Sequence, residues 1–363
     1  MVDSTRLRGV TKKASGRRRV SSPARLALAT SLVCLAGMGL GACVSKPAGA
    51  GMPLPKLNLD ATRTTVSGLS SGAYMATQVH MAFSSHVAGV AMIAGGPYGC
   101  AQGNLETALS RCLNPAADNL PDVDALVGNA RSRAGSGAIA PLEGMAGDKV
   151  FVMHGTLDAA VGTAISAAAA EFYRKLGVAQ VGEDNDRAMA HTFPTDATGT
   201  ECTDSAMPFI GKCGFDGAGE LLAALYAEKP AAPATAGGEL RRFDQEAYLP
   251  DGKDAMLADI GFVYVPKSCA AGETCGLHIA LHGCQQNADA IGEAFARDTG
   301  YNRWADARHL VVLYPQTRAS YAPLNPKACW DWWGYSGPDY DTRQGVQLRW
   351  LANAAAALGA PLE

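Results

Sequence analysis

One five-residue pattern, G-x-S-x-G, constrains the fold of this chain more than any other feature. Gly68, Ser70 and Gly72 occupy its fixed positions. The β-branched run Thr62–Val66 before it predicts a strand, and Gly72–Phe83 after it predicts a helix. A serine on a sharp turn between a strand and a helix is the context this motif needs to be catalytic. Because a helix N-terminus favours negative charge, we expect Ser70 to be a nucleophile; a plain glycine–serine turn is the alternative.

Short apolar segments alternate with helical segments along the rest of the chain. The later predicted strands are Val87–Ala94, Lys149–Met153, Gly261–Val265, Leu277–Leu281 and Leu310–Tyr314, with a further strand and its loop over Arg187–Phe193. The predicted helices are Leu120–Arg133, Ala164–Leu176 and Arg343–Leu358, with a loop over Gly95–Cys112 and a linker over Pro230–Gly238. This alternation predicts an α/β fold with a mostly parallel, doubly wound sheet in a single domain.

The N-terminal residues are typical of an export signal. Basic side chains concentrate before residue 26, and Leu26–Leu40 is an apolar run rich in small residues. The stretch Leu40–Cys43 resembles a bacterial lipoprotein box, which predicts lipidation of Cys43; ordinary cleavage nearby and an uncleaved anchor are the alternatives. We therefore predict a signal peptide over residues 1–43, a linker over residues 44–58 and a catalytic domain over residues 59–363. The protein is then secreted or held at the cell envelope.

Charge and cysteine content exclude some classes of function. The net charge of −3 gives no basic field that would attract nucleic acid. An even number of cysteines behind an export signal predicts disulfides, although sequence alone leaves their connectivity open. Pairing of nearest neighbours gives Cys100–Cys112, Cys202–Cys213, Cys269–Cys275 and Cys284–Cys329. The chain has no C-x-x-C pair and no histidine cluster at metal-ligand spacing, so we expect no metal.

A serine nucleophile needs a base, and the base needs an acid that orients it. In α/β-hydrolases these residues follow the serine in the order Asp, then His. Asp158 comes just after the strand Lys149–Met153, at the sheet edge where sites form. His191 ends the next strand-like piece. We expect Asp158 to orient His191, the general base and acid; a helix cap and an ordinary loop histidine are the alternatives. His80 and His86 are expected to be surface or packing residues, and His154 is expected to pack at the end of the strand.

The negative oxygen of the reaction needs two N–H donors. One is expected from the backbone of Ser71, next to the nucleophile. The second is expected from Cys284, because the strand Leu277–Leu281 leads into a His-Gly-Cys loop like the His-Gly-Gly loops of esterases. In ordinary α/β-hydrolases this loop precedes the turn that carries the nucleophilic serine, whereas here it comes far downstream of Ser70. A circular permutation explains that order, with the tail helix Arg343–Leu358 lying beside the first strand; otherwise the loop is only a turn.

Several motifs together carry a resemblance to a known family. They are Val66–Ala76, His154–Asp158, His191–Asp196, Leu281–Gln286 and Cys329–Gly334. Taken jointly they resemble the secreted poly(3-hydroxybutyrate) depolymerases whose catalytic domain is permuted (type 2). The resemblance implies a circularly permuted α/β-hydrolase without a cofactor that hydrolyses 3-hydroxyalkanoate esters. It implies the following site residues: a triad of Ser70, Asp158 and His191, with oxyanion donors from Ser71 and Cys284.

Aromatic residues predict how the substrate would be held. Trp330, Trp332 and Trp333 suit an apolar polyester groove, and core packing is the alternative. A bond between Cys284 and Cys329 would tie these residues to the oxyanion loop. We therefore predict a monomeric serine esterase acting on poly(3-hydroxybutyrate) or its oligomers through an acyl-enzyme. An esterase for feruloyl or acetyl esters and a non-catalytic envelope lipoprotein on the same fold are the alternatives.

Overall fold

A mixed eight-stranded sheet forms the centre of the part of the chain that the computed structural model describes, which is residues 51–228, 230–231 and 233–363. The predicted signal peptide, with Cys43, lies outside these residues. The strands are β1 (Leu59–Leu69), β2 (Gly89–Ile93), β3 (Lys149–Gly155), β4 (Gln180–Arg187), β5 (Phe193–Thr195), β6 (Thr200–Glu201), β7 (Ile210–Lys212), β8 (Glu239–Asp244), β9 (Ile260–Val265), β10 (Cys275–Leu281), β11 (Leu310–Tyr314), β12 (Ser320–Tyr321) and β13 (Leu324–Asn325).

Helices connect most of these strands. They are α1 (Ser71–Phe83), α2 (Leu105–Arg111), α3 (Val123–Gly135), α4 (Thr163–Lys175), α5 (Gly217–Leu225), α6 (Lys267–Ala270), α7 (Ala288–Ile291), α8 (Ala294–Asp298), α9 (Tyr301–Arg308) and α10 (Val346–Leu358). Short 3₁₀ turns lie at Ala117–Asn119, Leu142–Gly147, Glu246–Tyr248 and Pro250–Gly252. None of the helices within the described ranges is long and apolar enough to cross a membrane.

The strand order of the main sheet is β4-β3-β2-β1-β10-β11-β9-β8. Neighbouring strands run parallel from β4 to β11, and β9 and β8 are antiparallel additions at one edge. Every residue of β2, β10 and β11 is buried, which is typical of strands covered by helices on both faces. The predicted mostly parallel, doubly wound α/β sheet is thereby confirmed, and the residues described fall in one compact unit.

The two ends of the domain meet beside β1. The amide of Leu57 donates a hydrogen bond to the carbonyl of Leu358 at 2.9 Å, where α10 ends. Gly359 then turns the chain with φ +113°, and a Cβ there would come within 2.4 Å of the Leu57 carbonyl oxygen. The last helix therefore lies against the entry to the first strand, which is the adjacency that a permuted hydrolase requires.

Three predicted elements differ from the structure. Gly95–Cys112 was expected to be a loop but contains α2, which begins where the Asn104 side chain accepts a hydrogen bond from the Thr107 amide at 2.9 Å. The strand expected over Arg187–Phe193 instead ends at Arg187, because β4 is a polar edge strand without the apolar alternation that predicts strands. Residues 51–58 of the predicted linker pack on the domain, since the Met52 amide donates to the β8 backbone at 3.1 Å.

The disulfides are those expected from pairing nearest neighbours. Within the described ranges they are Cys100–Cys112, Cys202–Cys213, Cys269–Cys275 and Cys284–Cys329. The second of them closes a small three-stranded sheet of order β5-β7-β6. That sheet lies directly after the segment that carries His191, so the disulfide stabilises a loop that borders the candidate site.

Candidate active site

Ser70 sits on a strained turn between β1 and α1. Its φ is +56°, a region that side chains other than glycine rarely adopt. The turn leaves no space for side chains on either side: a Cβ on Gly68 would lie 2.3 Å from the backbone of Gly72, and a Cβ on Gly72 would lie 2.3 Å from the Leu281 carbonyl oxygen. The two glycines of the motif therefore let the chain turn sharply against the end of β10.

The N-terminus of α1 supplies hydrogen-bond donors next to Ser70. Amides in the first turn of a helix have no carbonyl partner within that helix, and the Ser71 amide is the first of them. Every residue of α1 is buried, so its dipole acts in a poorly solvated environment. The Ser71 hydroxyl accepts a hydrogen bond from the Trp330 amide at 3.4 Å, which fixes the start of the helix from the other side.

Asp158 and His191 form a hydrogen-bonded pair. His191 Nδ1 lies 2.7 Å from Asp158 Oδ2, and the other carboxylate oxygen accepts the amides of Ala160 at 2.8 Å and Val161 at 2.9 Å. Burial alone would raise the pKa of Asp158, but the bonds from His191 and the two amides together lower it. Because an ionised carboxylate only accepts, Nδ1 carries the proton, and Nε2 of His191 is left as the basic nitrogen.

Backbone contacts bring the loops of these two residues together. A Cβ on Gly155 would lie 2.0 Å from the Met189 carbonyl oxygen, so only glycine allows the end of β3 to approach so closely. The Leu157 amide donates to the same carbonyl at 3.1 Å. The His191 amide in turn donates to Ser205 Oγ at 3.0 Å. The Asp158 loop and the His191 loop are therefore held together by the main chain as well as by the side-chain bond.

The loop after β10 is a tight turn that presents one amide. The Gly283 carbonyl accepts the Gln286 amide at 3.2 Å, and Gln285 takes φ +60° within the turn. The amides on either side of Cys284 are both occupied. Gly283 donates to Gln286 Oε1 at 2.7 Å, and Gln285 donates to the Lys327 carbonyl at 2.7 Å. The Cys284 amide between them has no hydrogen-bond partner among the described residues.

A buried histidine and a disulfide hold this turn in place. His282 Nδ1 donates to the Gly283 carbonyl at 2.7 Å, and Nε2 accepts the Thr317 amide at 3.2 Å. Burial lowers the pKa of His282 to about 4, although the bond to Gly283 opposes this shift, so the ring is neutral at neutral pH. The disulfide Cys284–Cys329 ties the turn to the tryptophan-rich segment. His282 is thus a support of the turn and not a proton carrier.

One apolar cavity of about 410 Å³ joins these parts. Four residues of the candidate site line it: Ser70, Ser71, His191 and Cys284. Apolar side chains form much of the remaining lining, among them Leu105, Leu109, Leu113, Phe209, Leu324, Trp332 and Trp333. The ring of Trp332 stacks on Tyr74 with centroids 4.3 Å apart. Such a cavity suits an uncharged, mostly apolar chain.

The structure separates the three predicted substrate-binding tryptophans. Trp332 and Trp333 line the cavity, whereas Trp330 is fully buried and packs near His282, with ring centroids 5.5 Å apart. The prediction that Trp330 contacts the substrate is therefore corrected. Trp330 packs in the core, which was the alternative. The cause is the irregular backbone of this segment, where the Asp331 carboxylate accepts the amides of Gly334 at 2.7 Å and Tyr335 at 2.9 Å.

Sequence reasoning missed parts of the site. Leu105, Leu109 and Leu113 reach the cavity from α2 and the residues after it, and their spacing of four residues was a helical signal within the predicted loop. It also missed Gln286, a buried glutamine that bonds to the carbonyls of Pro208 and Phe209 far away in the sequence. The expected packing residues His80 and His154 are both buried, and His80 bonds to Asp148 at 2.9 Å. Among the described residues no cluster of potential ligands could hold a metal ion.

Comparison with known proteins gives the family. The family described as "Esterase PHB depolymerase" matches residues 261–348. A polyhydroxybutyrate depolymerase from Talaromyces funiculosus is 36% identical over 315 residues, which are 81% of this chain and 89% of that protein. The chain belongs to the PHB depolymerase family. A poly(3-hydroxybutyrate) depolymerase from Delftia acidovorans is 39% identical over 321 residues, 86% of this chain, and the match spans only 63% of that protein's length.

Two solved structures have the same fold as this member of the PHB depolymerase family. One is a PHB depolymerase from Penicillium funiculosum, 33% identical with a TM-score of 0.77. The other is a PHB depolymerase with a serine-to-alanine substitution, complexed with an R3HB trimer, 32% identical with a TM-score of 0.77. Each comparison covers 86% of this chain and 99% of the other. The family is one of ester hydrolases, and the α/β-hydrolase fold expected from the motifs agrees with these neighbours.

Proposed function

We propose that this protein hydrolyses the ester bonds of poly(3-hydroxybutyrate) or its oligomers as a serine esterase. The observation that carries the proposal is the Asp158–His191 pair, 2.7 Å apart, whose imidazole opens on the same cavity as Ser70. Its relatives are named for this polymer, and one solved neighbour holds an R3HB trimer. Nucleophile, base and orienting acid are the roles we assign to Ser70, His191 and Asp158.

Acylation follows from the geometry of these groups. The Ser70 hydroxyl attacks the ester carbonyl while Nε2 of His191 takes its proton. The negative oxygen that forms accepts hydrogen bonds from the amides of Ser71 and Cys284, which are already oriented and therefore cost no reorganisation. Asp158 remains ionised and stabilises the imidazolium. When the intermediate collapses, the ester C–O bond breaks and His191 returns the proton to the departing hydroxyl end of the polymer.

Deacylation uses the same groups in reverse. Water loses a proton to Nε2 of His191 and attacks the acyl carbonyl on Ser70. The second tetrahedral intermediate is held by the same two amides, and its collapse gives the free acid and restores the serine hydroxyl. Each half-reaction therefore needs one basic nitrogen and one pair of donors.

The lining of the cavity supports a polyester substrate. A polyester chain is uncharged, and its repeating units offer methyl groups and carbonyls to the surface that binds them. Trp332 and Trp333 offer large flat apolar faces with little loss of entropy on binding. Lys327 is the only lining residue with a permanent charge, and it is exposed. We therefore assign Trp332 and Trp333, without Trp330, to substrate binding.

We also propose that the protein works outside the cytoplasm. Disulfides in the described ranges are typical of proteins that fold in an oxidising compartment. Lipidation of Cys43 and a monomeric state stay predictions. Mass analysis of the mature N-terminus and light scattering would test them.

The experiment compares wild-type protein with Ser70→Ala and with the surface control Ser132→Ala. The substrates are amorphous poly(3-hydroxybutyrate), R3HB trimer, and feruloyl and acetyl esters. We expect acid release from polymer or trimer, a loss of several orders of magnitude in Ser70→Ala, and no change in Ser132→Ala. A fluorophosphonate should label the wild type at Ser70. A preference for feruloyl or acetyl esters would overturn the assignment of the substrate. If the wild type showed no labelling and no turnover, the protein would be a binding protein and not an esterase.

A further inference from the structure

The side chain of Gln286 joins two loops that lie 77 and 78 residues apart in the sequence. It is almost fully buried. Its Oε1 accepts the Gly283 amide at 2.7 Å, and its Nε2 donates to the carbonyls of Pro208 at 3.0 Å and Phe209 at 2.9 Å. Both amide hydrogens are therefore used, and the acceptor is used once. An amide is the one uncharged side-chain group that offers an acceptor and two donors in this geometry.

The carbonyls that Gln286 binds belong to the segment that holds His191. This segment, residues 202–213, is closed by Cys202–Cys213. It binds the chain on both sides of the imidazole: the His191 amide donates to Ser205 Oγ at 3.0 Å, and the Phe193 amide donates to the Phe209 carbonyl at 2.8 Å. The Phe209 carbonyl thus receives one hydrogen bond from the His191 side and one from Gln286.

These contacts bear on the reaction proposed above. The oxyanion donor of Cys284 lies in a turn after β10, and the base lies in a loop after β4. Their separation must fit one tetrahedral intermediate, and an error of about 1 Å in such a position can cost about a hundredfold in rate. By engaging the Gly283 amide, Gln286 also leaves the Cys284 amide as the free donor of the turn.

We propose that Gln286 is a positioning residue that sets the Cys284 oxyanion donor relative to His191 through residues 202–213. The inference rests on the proposed function. It assigns Gln286 no contact with the reacting atoms. Its effect is on the transition state, where the amide of Cys284 and the imidazole act together, and not on the binding of substrate before reaction.

A glutamate at this position has a distinct signature. Protonated, it supplies one donor and one acceptor and keeps most of the bridge. Ionised, it directs negative charge at the carbonyls of Pro208 and Phe209, which repel it. The ratio of kcat in Gln286→Glu to kcat in wild type should therefore fall as the pH rises. Taking the ratio at each pH cancels every pH dependence that the two proteins share. Gln286→Met removes all three bonds and should show a low ratio that does not depend on pH.

Gln245 provides a matched control. Its buried amide has the same bonding pattern: Oε1 accepts the Gln316 amide at 2.9 Å, and Nε2 donates to the carbonyls of Gln316 at 2.8 Å and Ala258 at 2.5 Å. It lies at the end of the edge strand β8 and does not line the cavity. Gln245→Glu therefore carries the folding cost of the same chemical change. We expect it to lower the melting temperature and leave kcat within about threefold.

The experiment measures kcat and KM for R3HB trimer, with near-UV circular dichroism at each pH to count only folded protein. For Gln286→Glu and Gln286→Met we expect kcat to fall about ten- to a hundredfold with KM within about threefold. An unchanged kcat, a loss confined to KM, a flat ratio for Gln286→Glu, or an equal loss in Gln245→Glu would each overturn the positioning role while the esterase activity stands. A wild type without esterase activity would instead remove the proposed function, and this inference with it.

Discussion

Replacing Asp158 by asparagine tests the candidate triad because it exchanges one acceptor oxygen for an NH₂ donor and changes the side-chain volume very little. In the wild type the Asp158 carboxylate accepts three hydrogen bonds, from His191 Nδ1 at 2.7 Å and from the amides of Ala160 and Val161 at 2.8 and 2.9 Å. An asparagine can keep the two amides on its carbonyl oxygen. Its NH₂ group then faces Nδ1, and two donors cannot bond to each other. The imidazole must therefore carry its proton on Nε2, the nitrogen that is needed as the base for Ser70.

The size of the effect follows from this change of tautomer. Loss of the correct tautomer in a serine triad lowers kcat about 10⁴-fold. At about 1.36 kcal/mol per factor of ten, this is about 5.4 kcal/mol of transition-state stabilisation. Asp158 does not line the cavity, so KM should change little. The assay is initial-rate hydrolysis of R3HB trimer over a range of concentrations, with folded protein counted by near-UV circular dichroism.

A second Asp–His pair in the same molecule gives the control. Asp148 Oδ2 lies 2.9 Å from Nε2 of the fully buried His80. His80 is nine residues further along α1 than Ser71, which places it about 13 Å away along the helix axis. Asp148→Asn should reduce stability and leave kcat within about threefold. If Asp158→Asn kept more than a tenth of wild-type kcat, the argument from the tautomer would be refuted, and the base would have to be sought elsewhere.

Two further predictions concern substrate binding and acid stability. Trp333→Ala should raise KM for R3HB trimer roughly tenfold, because it removes a large apolar wall of the cavity. Trp330→Phe should lower the melting temperature without changing KM, because Trp330 is buried outside the cavity lining. Equal effects of the two substitutions on KM would contradict the different roles assigned to these tryptophans. The depressed pKa of Asp158 stabilises the fold above the unfolded-state pKa of about 3.9, and this contribution is lost as the pH falls through the lower folded-state value. The difference in unfolding free energy between wild type and Asp158→Asn, measured by denaturant titration, should therefore shrink below about pH 4, and a constant difference would contradict it.

The parts of the site that sequence predicts well are those specified by neighbouring residues. The turn at Ser70 needs glycines two residues away on each side, and the structure explains why, since both positions meet backbone atoms at 2.3 Å. The position of Asp158 follows from the end of an apolar strand. His191 was found by its order in the chain, although the strand before it was placed wrongly. For Ser70 and Asp158 the physical constraint lies within a few residues of the pattern that indicates it, whereas His191 is indicated only by chain order.

The parts that sequence misses depend on distant partners or on competing local signals. Gln286 bonds to carbonyls 77 and 78 residues away, and nothing in its own neighbourhood specifies them. The helix α2 was hidden because the glycine-rich run before it outweighed the cap at Asn104. Trp330 was grouped with Trp332 and Trp333 because the three form one short aromatic run. The backbone there is irregular, since the Asp331 carboxylate accepts the amides that follow it, so residues close in sequence do not share one surface.

The permuted order has a consequence for which contacts set the geometry of the site. Ser70 and Cys284 are distant in sequence, yet they follow strands that pair directly, with Gly68 opposite Leu281. Their relative position is therefore fixed by the register of the central sheet and by the close approach of Gly72 to β10. The register of the central sheet does not place His191 in this way, because β4 is an edge strand and three residues lie between its last residue and His191. Its place relative to the turn at Cys284 depends on side-chain bonds, which is why the buried bridge at Gln286 should matter for the rate of the reaction.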